Sequence, residues 1–260
     1  MLTYIEIKSA FEQLNLADRP VIVHASLKKF GEIDGGPRTM LRALMACFGG
    51  LVMPTFTYKT MVTPGVGPPN NGISYGADGD KNKMAEPFRF DMPADKMMGT
   101  LPEMLRKHPS AVRTTHPILS FAGFHTDDIL ITQIIPDPFA PIGALAEQGG
   151  WVLLLGVNHT VNTSVHYAEK LAGRKQFIRW ALTDNRVAEC PGFPGDSEGF
   201  GTIADDLKAD TRIVEIGAAH ALAVPLARLF DAVTTRIKQD PLALLCQRED
   251  CERCNAVRSR

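Results

Sequence analysis

The sequence lacks several features that mark particular classes of protein. Its 260 residues contain no apolar run near the ~20 residues of a membrane-spanning helix, and residues 1–10 mix acidic with basic side chains, unlike a signal peptide. With 28 basic and 29 acidic residues, the formal net charge of −1 offers no basic surface for nucleic acid. The composition predicts a cytoplasmic protein that binds neither membranes nor nucleic acid.

Cysteine is also scarce. The chain has five, an odd number that argues against a disulfide framework. Cys246, Cys251 and Cys254 form C-x4-C-x2-C near the C-terminus, and three thiolates can hold zinc with a fourth ligand. The spacing differs from the paired C-x2-C pattern, so we favour free thiols and expect no metal. G-x-S-x-G occurs twice, at residues 72–76 and 195–199, but both matches lie in irregular glycine-rich segments rather than at a strand-to-helix turn, so neither marks a serine nucleophile.

Strand and helix patterns alternate near the N-terminus. Val21 to Ala25 is an apolar strand, Pro37 begins a helix after a Gly-Gly pair, and Leu51 to Thr57 is the next strand. A strand, a helix and a strand in succession form a βαβ unit with two parallel strands. The pattern predicts an α/β protein. Further elements are predicted at Met97 to Lys107 (helix), Ile118 to Phe124 (strand), Gln176 to Leu182 (strand), Thr211 to Gly217 (strand) and Ala223 to Lys238 (helix).

The stretch from Trp151 to Ala172 joins a strand to a candidate catalytic pair. Its apolar start, Trp151 to Val157, is typical of a buried strand, and a helix follows the polar turn at Asn162. His166 and Glu169 lie on one face of that helix, at the carboxyl end of the strand, where α/β sheets build their sites. A carboxylate beside an imidazole fixes its tautomer and raises its basicity, as a general base requires. A surface helix with a chance His–Glu pair is the alternative.

Other groups can complete such a site. His24 ends the first strand, and the ends of parallel strands share a crevice, so His24 can face His166. A helix N-terminus with basic neighbours attracts phosphate, although a solvated basic edge explains the same pattern. The residues of this candidate phosphate site are Lys28, Lys29, Gly35, Gly36 and Arg38.

Two irregular segments are rich in glycine and proline. The first, Thr63 to Asn82, exceeds an ordinary connection, which is typical of a lid or binding segment but also of a disordered insertion. The second, Ala188 to Gly201, is predicted to be a loop. We expect one domain over residues 1–260, with a loop insertion at about 58–95 and a cysteine-containing tail at 240–260.

Five segments occur in an order that resembles a known family: VHASLKKFGEIDGG, GGLVMPTFT, FDMPADKMMGTLPEMLRK, RTTHPILSFAGF and LLLGVNHTVNTSVHYAE. The resemblance is to the aminoglycoside 3-N-acetyltransferases, antibiotic-resistance enzymes outside the GNAT fold. It covers about Val21 to Ala172 and continues more weakly to the last helix. It implies a three-layer α/β/α fold with a largely parallel or mixed central sheet, acetyl-CoA as the donor and an amine as the acceptor.

The resemblance also implies site residues. The TSxHxAE motif of the family, with its His general base, matches Thr163, Ser164, His166 and Glu169. The strand end that holds the thioester end of the donor matches His24, Ala25, Ser26 and Leu27. Ala25 stands where the family more usually has serine, and Ala94-Asp95-Lys96 stands where it has TPS.

A multiply charged acceptor requires clustered carboxylates, and the two irregular segments supply them. The candidates for binding the cationic substrate are Asp78, Asp80, Glu86, Asp196 and Glu198. Soluble loops carry such residues as often. The leading hypothesis is acetyl-CoA-dependent N-acetylation of an aminoglycoside at its 3-amino group. The alternatives are acetylation of another small amine, or a zinc-dependent hydrolase or binding protein.

Overall fold

A computed structural model describes residues 1–76 and 79–259, without the side chains of Asp80 and Lys81. The strands, numbered in chain order, are β1 (Pro20–Ala25), β2 (Gly50–Pro54), β3 (Met61–Val62), β4 (Val112–Arg113), β5 (Phe121–Phe124), β6 (Trp151–Leu155), β7 (Phe177–Leu182), β8 (Val187–Phe193), β9 (Arg212–Ile216) and β10 (Ala219–Pro225). The α-helices are α1 (Tyr4–Glu12), α2 (Pro37–Cys47), α3 (Gly79–Lys83), α4 (Thr100–Arg106), α5 (Asp127–Leu130), α6 (Ala140–Glu147), α7 (Ser164–Leu171), α8 (Leu226–Gln239) and α9 (Glu252–Arg258).

A seven-stranded sheet forms the centre of the fold, in the order β4-β5-β2-β1-β6-β10-β9. Strand β1 pairs in parallel with both β2 and β6, and the remaining neighbours are antiparallel. The predicted βαβ unit is therefore confirmed as β1-α2-β2. Because the sheet is mixed, with its parallel strands in the middle, the α/β prediction is confirmed. The three parallel strands end at one edge.

Side chains of the central strands alternate between two buried cores, as the two-residue period of a strand requires. In β1, Ile22 packs with one core while Val21 and Val23 pack with the other. Helices α6, α7 and α8 cover the first face, and α1, α2 and α4 cover the second. The result is the three-layer α/β/α arrangement. Along the stretches 1–76 and 79–259, no helix is both long and apolar enough to cross a membrane.

A small antiparallel sheet, β3-β7-β8, lies outside the central one and corrects the prediction of a loop at 188–201. Its edge strand β8 contains Pro191 and Gly192, residue types that are typical of loops. Phe177 pairs with Phe193 and Arg179 with Cys190, so β8 carries one extra residue between these pairs. A bulge on an edge strand accommodates proline and a left-handed glycine, here with φ +77°.

Two predicted helices also differ. The helix predicted from Ala223 begins at Leu226, because the preceding residues pair with β6 and β9 as strand β10. Pro225 marks the boundary. The helix predicted over Met97 to Lys107 is interrupted at Gly99, whose φ of +87° separates a 3-10 turn, Lys96–Met98, from α4.

The long segment predicted as a lid or insertion packs against the small sheet. The Asn71 side chain accepts from the Ile178 N–H at 2.9 Å and donates to the Ile178 carbonyl at 3.0 Å, as a neighbouring strand would. The buried Arg179 guanidinium donates to the carbonyls of Asn71 and Gly72. The described part of the long segment is therefore packed against the small sheet.

Candidate active site

A cavity of about 740 Å³ opens at the edge where the parallel strands end. Carboxyl ends of parallel strands are the usual place for a ligand in this class of fold, because the adjoining loops diverge there. Each end contributes to the wall: His24 from β1, Pro54 from β2 and Val157 beyond β6. Polar side chains elsewhere in the wall include those of Ser26, Lys28, Asn162, Thr163, His166, Asp196 and Arg253.

His166 and Glu169 meet as the sequence predicts. Nδ1 of His166 lies 2.9 Å from Oε2 of Glu169, within one helix and at three-residue spacing. An ionised carboxylate only accepts, so Nδ1 carries the proton and Nε2 is left as the basic nitrogen. Since the ring lines the cavity, this arrangement can remove a proton from a bound molecule.

Glu169 is held from its other side by Arg174, which the sequence reading missed. Nη1 of Arg174 lies 3.0 Å from Oε1 of Glu169. Nη2 donates to the carbonyls of Pro241 and Ala243 at 2.9 and 2.7 Å. The guanidinium thus supplies the charge that compensates a buried carboxylate, and it fixes the carboxylate against the imidazole.

The end of α7 brings Arg174 to Glu169. The Gly173 N–H donates to the carbonyl of Lys170, and the Arg174 N–H donates to that of Glu169. These two bonds form a Schellman cap, which needs a left-handed residue; Gly173 has φ +76°. The glycine in the sequence Leu-Ala-Gly-Arg was the signal for this helix end.

Two aromatic rings fix the His166 imidazole. Phe139 stacks on it with ring centres 6.0 Å apart and planes 19° apart, and Phe200 meets it edge-on at 4.7 Å. Both phenylalanines are fully buried. These two rings and the bond to Glu169 restrict the orientation of the imidazole at the cavity wall.

Two further histidines lie buried beside His166. Burial lowers the pKa of His24 to about 3, with smaller contributions from the charges of His159 and His166. Burial likewise lowers the pKa of His159 to about 4, and its Nδ1 lies 3.1 Å from the amide nitrogen of Asn162. Both rings are neutral near pH 7. His24 lines the cavity, and its Nε2 is buried without a hydrogen-bond partner among the described residues.

An anion-binding turn requires backbone N–H groups that have no other acceptor, and at the end of β1 one N–H group does not meet this requirement. The Ser26 N–H donates to the carbonyl of Leu155 at 2.9 Å, so it is already engaged. Leu27 and Lys28 begin a 3-10 helix, and their N–H groups have no intrahelical acceptor by position. These two groups, rather than Ser26, are the backbone donors at this strand end.

The start of α7 uses Asn162 as its cap. Its side-chain oxygen accepts from the Ser164 N–H at 3.0 Å, while Thr163 makes no side-chain cap bond. Thr163 lines the cavity. The Ser164 hydroxyl is buried without a partner in the described part of the chain.

The predicted phosphate site is divided between two depressions. Lys28 lines the main cavity, whereas Gly35 and Arg38 line a second depression with Arg42 and Met104. Gly36, with φ +64°, precedes Pro37 at the start of α2 as predicted. Helix α4 contributes to both depressions, so they flank the same element.

The predicted acidic cluster does not assemble around the cavity. Asp196 lines it, but its carboxylate binds Arg248 at 2.9 Å and Arg253 at 3.2 Å. Glu198 is outside the lining and pairs with Arg248, and Glu86 pairs with Lys59. Asp78 and the side chain of Asp80 lie outside the described residues. The carboxylates of Asp196, Glu198 and Glu86 are thus engaged by arginine or lysine side chains and do not form a cluster that could bind a cation.

Arg253 is a lining residue for which the sequence holds no local signal. It comes from α9, within the C-terminal segment, and donates to the Gly195 carbonyl at 2.9 Å and to Asp196. Its guanidinium also lies 6.0 Å from the ring centre of Phe193. Only the tertiary fold brings this C-terminal helix to a cavity whose other lining residues lie between positions 23 and 197.

The chain matches the family model described as aminoglycoside 3-N-acetyltransferase over residues 22–238. It is 33% identical over 170 residues to aminoglycoside N(3)-acetyltransferase VII of Streptomyces paromomycinus, covering 61% of this chain and 57% of that relative's length.

Solved structures share the fold. One is aminoglycoside acetyltransferase AAC(3)-IVa as a histidine-to-alanine mutant in complex with a gentamicin, with TM-score 0.78, 23% identity and coverage of 99% of this chain and 97% of that one. Another is AAC-IIIb in a binary complex with CoASH, with TM-score 0.75, 22% identity and coverage of 91% and 96%. The family model spans most of the sequence, including β1 and the His166 helix. The chain belongs to the aminoglycoside 3-N-acetyltransferase family.

Proposed function

We propose that the protein transfers the acetyl group of acetyl-CoA to the 3-amino group of an aminoglycoside, with His166 as the general base. The observation that carries the proposal is the 2.9 Å contact between His166 and Glu169 at the wall of the cavity. Family membership supports the reaction. The relatives solved with CoASH and with a gentamicin support the donor and the acceptor class.

The chemistry follows from the protonation states. An ammonium must lose its proton before its nitrogen attacks, and Nε2 of His166 accepts that proton. The amine nitrogen then bonds to the thioester carbonyl carbon, and the C–S bond breaks as the intermediate collapses. The imidazolium of His166 passes its proton to the CoA thiolate, and the nitrogen releases its second proton to solvent as the amide forms. The N–H groups of Leu27 and Lys28 are proposed to stabilise the oxyanion of the intermediate. Glu169 stabilises the imidazolium that forms on His166.

The donor is proposed to lie along the end of β1. The neutral His24, with its unpartnered Nε2, and Ser26 would contact the thioester end. Lys28 would contact the pyrophosphate, and Gly35, Gly36 and Arg38 the 3′-phosphate end, because a basic helix start attracts phosphate. Thr163 and Ser164 would border the same channel.

The acceptor is proposed to enter from the side of Asp196, whose carboxylate would bind an ammonium in exchange with Arg248 and Arg253. We also infer a single domain over residues 1–260, with the 58–95 insertion and the 240–260 tail as walls of the cavity. A cytoplasmic location accords with acetyl-CoA as co-substrate.

A second candidate acceptor is an amine with fewer positive charges. Asp196 is the one carboxylate among the described cavity-lining residues, which also include Lys28 and Arg253. Such a cavity is not acidic, and a polycation requires clustered negative charge.

Release of the CoA thiol from acetyl-CoA, measured across a panel of aminoglycosides and simple amines, separates these acceptors. We expect release with aminoglycosides, and mass spectrometry should find one added acetyl group at the 3-amino position. Release with simple amines alone would favour the second candidate, and no release with any amine would contradict both.

A further inference from the structure

The C-terminal tail, residues 240–259, holds three cysteines against one another. The Sγ atoms of Cys246, Cys251 and Cys254 all lie within 4.8 Å of each other. All three are buried, and none forms a disulfide. The other two cysteines, Cys47 and Cys190, belong to no such cluster within the described ranges.

The spacing of the three sulfurs matches a thiolate metal site. Tetrahedral zinc has Zn–S bonds of about 2.3 Å, which places its thiolates ~3.8 Å apart. The three sulfurs, within 4.8 Å of one another, lie in the range of this separation. Cys251 and Cys254 flank the start of α9 and Cys246 comes from the preceding segment, so two pieces of chain converge on one point.

The groups around the sulfurs suit a site of net negative charge. Three thiolates and Zn²⁺ sum to −1, and Arg258 lies beside them, donating to the carbonyl of Cys246. Carboxylate oxygens of Asp196 and Glu198 lie within 4.8 Å of the Cys246 sulfur and of each other. One of these oxygens, or water, can complete four-coordination.

We propose that Cys246, Cys251 and Cys254 bind a structural zinc ion. The tail has little regular structure apart from the seven residues of α9, and metal binding commonly supplies the folding free energy that such a segment lacks. Buried cysteines also serve as small apolar side chains. That role explains Cys47 and Cys190, but it does not require three sulfurs to converge.

The zinc site has a consequence for the cavity. Arg253 lies between two of the ligands, and it reaches the cavity wall to bind Asp196 and the Gly195 carbonyl. Zinc therefore holds Arg253 and Asp196 in place on the side proposed for the acceptor. This consequence rests on the proposed function, whereas the metal site itself does not.

The direct test is the metal content of the full-length protein, purified without chelators and measured by mass spectrometry of the elements. We expect one zinc per chain. Replacement by Co²⁺ should give the near-ultraviolet charge-transfer absorption of cobalt thiolates. Cys246→Ser, Cys251→Ser and Cys254→Ser should each lower zinc retention against a chelator at least tenfold, and Cys47→Ser and Cys190→Ser, the matched controls, should retain zinc as the parent does.

The cobalt spectrum of the parent protein tests the site even if a serine variant fails to fold. A reduced, folded protein that takes up neither zinc nor cobalt would overturn the proposal. So would a Cys251–Cys254 disulfide in protein isolated with its thiols blocked, or zinc that survives loss of all three cysteines. Zinc bound by a protein that acetylates no amine would instead count against the proposed function alone.

Discussion

Arg174 and Glu169 form an ion pair of 3.0 Å in which both side chains are almost wholly buried, at 3% and 2% exposure. The second oxygen of the same carboxylate accepts from His166. One carboxylate thus joins an imidazole at the cavity to a guanidinium in the core. Orientation of the base depends on a residue that does not line the cavity.

Replacing Arg174 with leucine should destabilise the protein strongly. It would leave the Glu169 carboxylate buried without its positive partner, a loss of about 3–5 kcal/mol in the free energy of unfolding. Urea unfolding measures the loss. The control is Arg228→Leu, because Arg228 pairs with Asp210 while 56% exposed, and a solvated surface pair contributes little to stability. Equal losses in the two variants would contradict the role given to Arg174.

The sequence was sufficient for part of this site. His166 and Glu169 were found from three-residue spacing after an apolar strand, because helix geometry alone puts them on one face. Arg174 was missed, although Gly173, typical of the end of a helix, was a local signal for it. Arg253 had no local signal, since its position depends on packing between the tail and the cavity wall.

Strand β8 was missed, and the convergence of the three tail cysteines was left open, for a similar reason. Pro191 and Gly192 are typical of a loop, and only pairing with β7 stabilises them in a bulged edge strand. The cysteine spacing alone favoured free thiols, whereas the folded tail brings the three sulfurs together. Residue types indicate local structure, whereas strand β8 and the cysteine cluster depend on contacts between segments that are distant in the sequence.

Stability should fall as the pH is lowered from about 6.5 towards 4. Burial lowers the pKa of His116 to about 4 and that of His24 to about 3, while both titrate near 6.5 when unfolded. Between these values the unfolded chain binds protons that the folded chain does not, so each histidine contributes a slope of about 1.4 kcal/mol per pH unit. Urea unfolding at pH 7 and pH 5 measures it.

His116→Gln should reduce this pH dependence, whatever its effect on stability at pH 7. The exposed His220 provides the control, and His220→Gln should leave the slope unchanged. A parent protein equally stable at pH 7 and pH 5 would show that the buried histidines are protonated as readily in the folded state.

Gly156→Ala should disturb the donor side of the cavity. Its φ is +63°, and an added Cβ would lie 2.8 Å from Cβ of Lys29 and 3.2 Å from the Ser26 carbonyl. Gly31→Ala, at φ +74° and ψ −152° with nothing within 4 Å, carries backbone strain of ~1–3 kcal/mol without the clash. Gly156→Ala should therefore lose more stability and raise the KM for acetyl-CoA, and matching behaviour of the two variants would rule out the close approach.

Asp196→Asn should raise the KM of the acceptor at least tenfold and leave the KM of acetyl-CoA near the parent value. Asp196 lines the cavity on the acceptor side, and a neutral amide binds an ammonium weakly. Glu86→Gln is the matched control, since Glu86 lies outside the lining and pairs with Lys59. Steady-state kinetics with the best acceptor of the panel decides between them, and a change in both variants or in neither would remove Asp196 from recognition.

The central claim is that His166 accepts the proton of the attacking amine. Its most direct test is the single-turnover rate of acetyl transfer by His166→Ala, with the affinity for CoA measured on the same preparation and His220→Ala as the control. The rate should fall at least about 100-fold, the contribution typical of a general base, while the affinity for CoA stays within a few-fold of the parent. A folded His166→Ala protein that transfers acetyl at the parent rate would contradict the assignment.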